Sequence, residues 1–419
     1  MPLNKVDTGD INTDILNPDV YVSGVPHSAF KQLRDQDQVS WIEEDDGTGF
    51  WALTRYDDVV AASRQHKVFS AAKGIRLEEM DPEELEARKT MMEMDPPEHT
   101  AYRRLVQPPF LPRFVKTYEA DMHLLAREVI ASVRKQTEFD FVEVIARQLP
   151  MRMLGKMLGV PDKDGPWLVK MGDALIGNTD PEFTEFPVDL VDTDDYRLLP
   201  FRSPVSVPLF DYAEKQAEQK QRCPADDLTS MLLEKKRDGD NLSTLEFKNF
   251  FTLLVAAGND TTRYTMAAGL HALLENPAQL MLLRRKPELI NLAVEEMLRW
   301  GTVTMSFRRT VIQDIEFGGQ QMQAGDKVML FFIGADYDER QFMNPYEFDI
   351  QRTPNDHVAF GLKSPHKCIG EHLARLEIKV LFKELLTHFS DIQANGPVER
   401  LRSNFISGIK HLPIRVTWA

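Results

Sequence analysis

At 419 residues, with 42% hydrophobic and 27% charged side chains and no Gly/Ser-rich or Pro-rich linker, the chain reads as an ordinary soluble globular protein, one large domain or two lobes sharing a core. Its 65 acidic residues against 50 Lys and Arg give a formal charge of -15, which excludes broad nucleic-acid binding and leaves room only for local basic patches. The two cysteines, Cys223 and Cys368, argue against a structural disulfide, and no stretch has the apolar run of a signal peptide or membrane span, so a reducing, cytoplasmic location is expected.

Residues 26–34 read as a short helix after a turn-rich start. Val39-Ser-Trp-Ile and Phe50-Trp-Ala-Leu-Thr, joined by the acidic, glycine-containing residues 43–49, predict a β-hairpin, and residues 57–66 a helix. The paired prolines of Asp95-Pro-Pro-Glu end what precedes them and open a helix from Glu98, which sets His99 and Arg103 one turn apart on one face. Two cation-capable side chains aimed the same way suit a bound carboxylate or phosphate, or simply a solvated helix face. Residues 118–158 are largely helical in pattern, with Leu124, Val129, Ile130 and Val133 at helical spacing and a Met- and Leu-rich core stretch after Leu149. Residues 178–208 are proline-broken and aperiodic, the character of a mobile lid or long loop, before helices over 209–221 and 225–235.

The longest helix signal opens at a capping box, Ser243-Thr-Leu-Glu246, and runs without proline to Asn276, about 50 Å at ~1.5 Å per residue, long enough to cross the molecule. At its centre lies Ala257-Gly258-Asn259-Asp260-Thr261-Thr262. Thr261 and Thr262 can bond back to carbonyls one turn earlier and open a local bulge, with Asp260 as an ionisable group beside it. A close helix crossing at Gly258 with a capped threonine pair explains the same residues. Residues 287–300 predict another helix, on which Glu296 and Arg299 share a face. Such pairs are ordinarily surface bridges worth little, yet Ala293, Met297 and Leu298 crowd this one and allow a buried pair. Strand-like runs at 307–311, 315–317, Met322 and 327–333 make a second small β region, and a polar meander over 335–356 carries Arg352. It leads into Phe360-Gly-Leu-Lys-Ser-Pro-His-Lys-Cys368-Ile-Gly370, then a helix over 371–388 and a tail of strands and turns. A cysteine between a glycine-bounded loop and a helix start lies near free backbone N–H groups and the positive end of the macrodipole, which favours thiolate. It can serve as nucleophile, as metal ligand, or only as a small buried hydrophobe.

Taken in order, these motifs make the chain resemble the cytochrome P450 family over essentially its full length. The family ligates haem iron through a cysteine on a loop of the form Phe-Gly-x-Gly-x-His-x-Cys-x-Gly, which Phe360, His366, Cys368 and Gly370 match. The resemblance thus implies haem b, with Cys368 as the metal ligand. Phe360 stands one residue further ahead of the cysteine than usual, and Ser364 takes the place of a glycine. A longer loop of this kind also occurs in a bacterial branch that acts on steroids and branched terpenoids. Asp260 and Thr261 match the proton-delivering acid and alcohol of the family's oxygen-activation motif, with Ala257 and Gly258 against the cofactor. Glu296 and Arg299 match its Glu-x-x-Arg pair, and Arg352 the arginine that completes a structural triad. His99, Arg103, Arg309 and His366 match positions that hold the haem propionates. The implied, mostly apolar substrate pocket takes Val255, Ala256, Val303, Thr304, Met305, Phe405 and Ile406.

The implied fold is mainly α with small β-sheets, a single cytochrome P450 domain over residues 1–419. Its parts are a β-rich lobe at 36–70, a helical core at 95–300, a β, meander and cysteine-loop region at 301–370, and a C-terminal helix and strands at 371–419. The implied function is a haem-thiolate monooxygenase that inserts one atom of O2 into a C–H bond of a hydrophobic small molecule, terpenoid or steroid-like. No flavin or reductase domain is expected within these 419 residues, and the resemblance then implies electrons from NAD(P)H arriving through a reductase and an external ferredoxin or flavodoxin-like donor. Lys363 and Lys367, with Arg104, Arg113 and Lys116, form a candidate dock for that donor, or are merely scattered solvated cations. No nucleic-acid partner, no membrane span and a monomer are expected. The Asp260-Thr261 pair speaks against a peroxygenase that uses peroxide directly, and it has no purpose in a non-catalytic haem-binding protein. A hydrolase with Cys368 as nucleophile lacks an identifiable base.

Overall fold

The computed structural model describes residues 15–44, 47–234, 236–237, 240–361 and 363–419. The segment 1–14, on which the expectation of no signal peptide partly rests, and Leu362 of the cysteine loop lie outside the described residues. Helix α1 (His27–Gln36) leads into the predicted hairpin of β1 (Ser40–Glu43) and β2 (Gly49–Leu53), then α2 (Tyr56–Arg64) and the short β3 (Phe69–Ser70). Trp41 faces Trp51 across the hairpin, ring centres 5.1 Å apart and edge to face, which fixes its register.

The helical body follows as α3 (Glu98–Val106), α4 (Glu119–Ser132), a strand β4 (Glu138–Asp140), α5 (Gln148–Leu158) and α6 (Gly165–Ile176). The strand departs from the helical reading of residues 118–158. Phe139 is buried opposite Ile414 of the chain's final strand, a pairing that local periodicity cannot anticipate. Residues 178–205 are irregular, as expected, but tied down: Arg402 donates to the Thr179 carbonyl at 2.6 Å and to Asp189 at 3.1 Å, while its own carbonyl accepts from the Thr179 hydroxyl at 2.6 Å.

Helix α7 (Thr244–Glu275) has 32 residues, about 48 Å at ~1.5 Å per residue, and is buried on nearly every face as it passes α5 and α6. The Ser243 and Glu246 side chains cap each other's backbone N–H groups at its start. Thr261 does bond back, its hydroxyl donating to the Ala257 carbonyl at 2.9 Å, yet the helix runs on without the expected bulge. Gly258 instead marks a close crossing: a Cβ there would lie 3.0 Å from Leu154 of α5.

Then come α8 (Ile290–Gly301), β5 (Ser306–Val311), β6 (Lys327–Phe331), α9 (Glu371–His388), β7 (Phe389–Ala394) and β8 (Pro413–Trp418). The run predicted as strand to residue 333 stops at Phe331 and turns helical, because Gly334 packs against Thr54 so closely that a Cβ would lie 3.1 Å from its carbonyl. One sheet has the order β1-β2-β6-β5-β3, with β2 and β6 parallel and the other neighbours antiparallel; a second has the order β7-β8-β4. The first sheet therefore joins the N-terminal hairpin to strands almost three hundred positions later and carries Arg309 on its fourth strand. Among the described residues no helix is long and apolar enough to cross a membrane.

The meander is fastened by one carboxylate. Glu296, fully buried on α8, accepts from Arg299 at 2.8 and 2.9 Å, from Arg352 at 3.0 Å, from the Asn355 amide at 3.1 Å and from the Asp349 backbone at 3.1 Å. Arg299 reaches the Asp336 and Pro345 carbonyls, and Arg352 those of Met343, Asn344 and Glu347. The pair that sequence leaves between surface and interior is buried.

Candidate active site

The cysteine loop is pinned by its own backbone. The Cys368 N–H donates to the Phe360 carbonyl at 2.9 Å, and the Ser364 hydroxyl accepts from the His366 N–H at 3.1 Å. Ser364 therefore caps a loop bond in the place where the family's pattern has glycine. The left-handed turns needed by the longer loop fall at Gly361 (φ 71°) and Lys363 (φ 55°). Phe360 lies under the Arg375 guanidinium, 4.7 Å from its ring centre, and Arg375 is itself held by Glu295 and Glu371. Gly370 is the cap residue of α9.

Cys368 opens onto a cavity of about 220 Å³ between α7, α9, α3 and β5. Although exposed to that space, its sulfur is surrounded by protein, and this burial pushes the thiol above its ordinary range; the Gly370 N–H and the Arg103 charge pull the other way.

On the same cavity lie His99 and Arg103 from α3, Arg309 from β5 and His366 from the loop. The two imidazoles have ring centres 4.2 Å apart, and both ring nitrogens of His99 and Nε2 of His366 are buried without a hydrogen-bond partner. Burial first, then the neighbouring guanidinium charges, lower His99 to about 4 and His366 to about 2, so both are neutral near pH 7. Arg103 donates only to the Pro365 carbonyl at 3.2 Å and Arg309 only to the Arg308 carbonyl at 2.7 Å. Among the described residues no carboxylate pairs with either arginine. Two arginines without a carboxylate partner and orphaned imidazole nitrogens on one cavity suit an anionic ligand. The carboxylates of haem meet that description, with a cysteine sulfur on the same cavity as a metal ligand.

The α7 residues divide by face. Ala257, Gly258 and Thr261 line the cavity, and Asp260 does not. Asp260 is fully buried toward α6, where it accepts from Asn259 at 2.7 Å and pairs with Arg263 at 3.2 Å; Arg263 also pairs with Asp173 of α6, which in turn holds Arg147. Burial raises the Asp260 carboxyl to about 7, against the pull of Arg263, and its Oδ2 has no partner.

Of the expected pocket residues, Val303 and Thr304 line the cavity, and Thr304, Phe405 and Ile406 line a contiguous chamber of about 160 Å³ that shares Ala257, Thr261 and Phe307 with it. An isolated bridge between Thr304 and Ile406 brings these distant segments together. Val255, Ala256 and Met305 correct the expectation. Val255 and Ala256 point from other faces of α7 into the helical core, and Met305 packs beneath the sheet with Phe30 and Met329. Two residues were missed. Glu377, on the buried Leu373-Leu381 stripe of α9, borders the cavity, and its place at helical spacing between leucines is a readable signal. Arg76 lines the second chamber and lies in a stretch with no periodicity to mark it.

Fold and site together define a mainly helical protein around a cysteine-bearing cavity prepared for an anionic prosthetic group. The cytochrome P450 family model matches residues 17–285 and 281–416. The steroid C26-monooxygenase of Mycobacterium tuberculosis is 34% identical over 96% of this chain and 92% of its own length. The methyl-branched lipid omega-hydroxylase of the same organism is 35% identical over 100% of this chain and 96% of its own. The structure of Mycobacterium marinum cytochrome P450 CYP268A2 in complex with pseudoionone superposes with a TM-score of 0.85 at 37% identity, covering 93% of this chain and 94% of that one. The chain belongs to the cytochrome P450 family and is a monooxygenase, and the family implies haem as its cofactor.

Proposed function

We propose that this monooxygenase hydroxylates a C–H bond of a hydrophobic, terpenoid- or steroid-like small molecule, working as one domain with electrons from an external ferredoxin or flavodoxin-like donor. The observation that carries the reading is the set of unpaired His99, Arg103, Arg309 and His366 on the cavity that Cys368 opens into, continuous with an apolar chamber. The names of the steroid- and lipid-oxidising relatives and of the pseudoionone complex support the substrate class.

Cys368 would ligate the iron, the two arginines and two histidines would hold the propionates, and Ala257 and Gly258 would leave room for the ring. Haem bound there supplies the activation of dioxygen and the oxidising power for C–H insertion. The protein's own residues do the rest. Leu253, Leu254, Val303 and Phe307 exclude bulk water and bind hydrocarbon. Thr261 Oγ, its proton committed to the Ala257 carbonyl, keeps its lone pairs toward the cavity and can hold a water there. Asp260, whose carboxyl is raised by burial and whose Oδ2 has no partner, would supply the proton-exchanging group behind that hydroxyl, from the neighbouring face of α7. On the surface, the segment Pro112–Val115 packs against α9 and carries the exposed Arg113, Lys363 is exposed on the cysteine loop, and Lys367 is engaged by Glu371 at 2.5 Å. This supports a basic dock for an acidic donor.

Reduced, haem-loaded protein treated with carbon monoxide is expected to show the red-shifted Soret band of thiolate-ligated haem, and Cys368→Ala to lose it. A folded, haem-loaded wild type without that band overturns the ligand assignment. Spin-state shifts with terpenes, steroids, fatty acids and methoxy-aromatics then test the substrate class.

A further inference from the structure

We propose that Arg76 is a substrate anchor and that the substrate is a hydrocarbon acid, its carboxylate held by this guanidinium at the far end of the pocket. The inference rests on the monooxygenase reading above and names the substrate class within it.

Arg76 lines the chamber that also holds Thr261, among Ile75, Leu253, Phe307 and Ile406. Its guanidinium carbon lies 4.7 Å from the ring centre of Phe201 and 4.5 Å from that of Phe405. Contacts with ring faces hold a guanidinium plane but leave its N–H edge free. Among the described residues nothing occupies that edge: Arg76 has no hydrogen-bond acceptor and no ion-pair partner. The nearby acids are engaged elsewhere. Glu78 pairs with Arg88 at 3.3 Å, and Glu93 accepts from the Thr90 N–H at 3.1 Å and the Thr90 hydroxyl at 2.7 Å. Burial lowers the Arg76 pKa from its ordinary value, with the Glu78 and Glu93 charges acting against it.

The two rings are fixed from different parts of the chain. Phe201 adopts a left-handed backbone, φ 60°, with its carbonyl accepting from Asn178 at 3.0 Å. The Phe405 carbonyl accepts from the Met305 N–H at 3.0 Å, and its own N–H donates to Ser403 at 3.2 Å. Glu78, Arg88 and Glu93 line the same, otherwise mostly apolar chamber, but Glu78 is taken up by Arg88 and Glu93 by Thr90, so the guanidinium with a free edge is that of Arg76 and it suits an amphipathic ligand. The fork matches a carboxylate in bidentate geometry, and the hydrocarbon then extends along the apolar wall toward Thr261.

The test compares free acids with their methyl esters on the haem-loaded enzyme. Abietic acid, phytanic acid and lithocholic acid, each with its ester, are titrated by the Soret spin-state shift and by calorimetry. An acid with a fitting skeleton is expected to bind ~10- to 100-fold tighter than its ester, the range of a charge-assisted hydrogen bond. Arg76→Gln should abolish that preference while ester affinity stays about constant, and Arg76→Lys, which keeps the charge but not the fork, should retain part of it. Equal binding of acid and ester for all three skeletons in the wild type overturns the anchor without recourse to a variant, as does an unchanged preference in Arg76→Gln. Hydroxylation of neutral terpenes or steroids with no advantage for any acid leaves the monooxygenase reading standing and removes only the anchor. No spectral or calorimetric response to any acid, ester or neutral terpene or steroid removes both.

Discussion

Glu296→Ala gives the sharpest test of how the cysteine loop is held in place. The carboxylate accepts five hydrogen bonds, four of them from the side chains of Arg299, Arg352 and Asn355. Truncation leaves Arg299, fully buried, with two charged N–H directions unpaired, and Arg352 held only by meander carbonyls. Removing one partner of a buried ion pair costs about 3–5 kcal/mol, whereas an exposed bridge at the same spacing contributes ~0.2–1 kcal/mol. Against a total stability of ~5–15 kcal/mol, the loss is a large fraction. Thermal melting of the haem-loaded protein should therefore fall by several degrees, accompanied by haem loss and by faster proteolysis within residues 336–357. Glu296→Gln keeps one acceptor oxygen but turns an N–H2 toward the guanidinium groups, so it should recover only part of the loss. A melting temperature within error of wild type for Glu296→Ala, with unchanged cleavage of the meander, would refute the fastening role.

Thr261→Ala removes the hydroxyl that faces the cavity while leaving the helix intact, since its hydrogen bond is to a carbonyl already in the ladder. Peroxide released per NAD(P)H consumed is expected to rise several-fold, and unchanged coupling would remove Thr261 from proton delivery. Glu377 carries a different signature: burial raises its carboxyl to about 8, opposed by the Thr262 hydroxyl. A folded-state pKa above the unfolded value of about 4.3 means that the folded protein binds the proton more tightly. The associated stability is fully present below about pH 4 and is lost as pH rises toward 8, by up to ~1.4 kcal/mol per pH unit. Glu377→Gln should thus flatten the melting profile between about pH 5 and pH 8 and raise the melting temperature at the upper end; parallel profiles for the two proteins would contradict it.

Where chemistry is local, the sequence was legible. The capping box at Ser243, the prolines before Glu98 and the glycine-bounded cysteine loop each settle a neighbourhood by backbone geometry, and their order along the chain suffices for the family. Legibility failed where the deciding contact is remote. The strand at Phe139 exists only because Ile414 lies opposite, and Arg76 gains its setting from residues at 201 and 405. A third kind of miss was avoidable. Consecutive residues on an α-helix point about 100° apart, so Val255, Ala256, Ala257 and Gly258 cannot share one wall, and Asp260 and Thr261 had to diverge. Both readings of the Gly258 segment held a part of the answer: the glycine is a crossing point, and the threonine does bond back, without breaking the ladder.

The distribution of charge joins these observations. A chain with a formal charge of -15 has acids to spare, yet Arg103 and Arg309 on the main cavity and Arg76 in the adjoining chamber have no carboxylate partner among the described residues. Elsewhere in the interior many arginines do have carboxylate partners, as at Glu296 with Arg299 and Arg352, or Arg263 with Asp260 and Asp173, while Arg284 is held by the Leu386 and Phe389 carbonyls. An unpaired cation shielded from water is costly, so three of them bordering one contiguous space suit partners supplied from outside the chain. The cluster around Arg103 and Arg309 would take the prosthetic group's two carboxylates. Arg76, on the part of the chamber that those residues do not line, is left for a third negative charge, and the ligand that enters that chamber is the remaining molecule able to bring it.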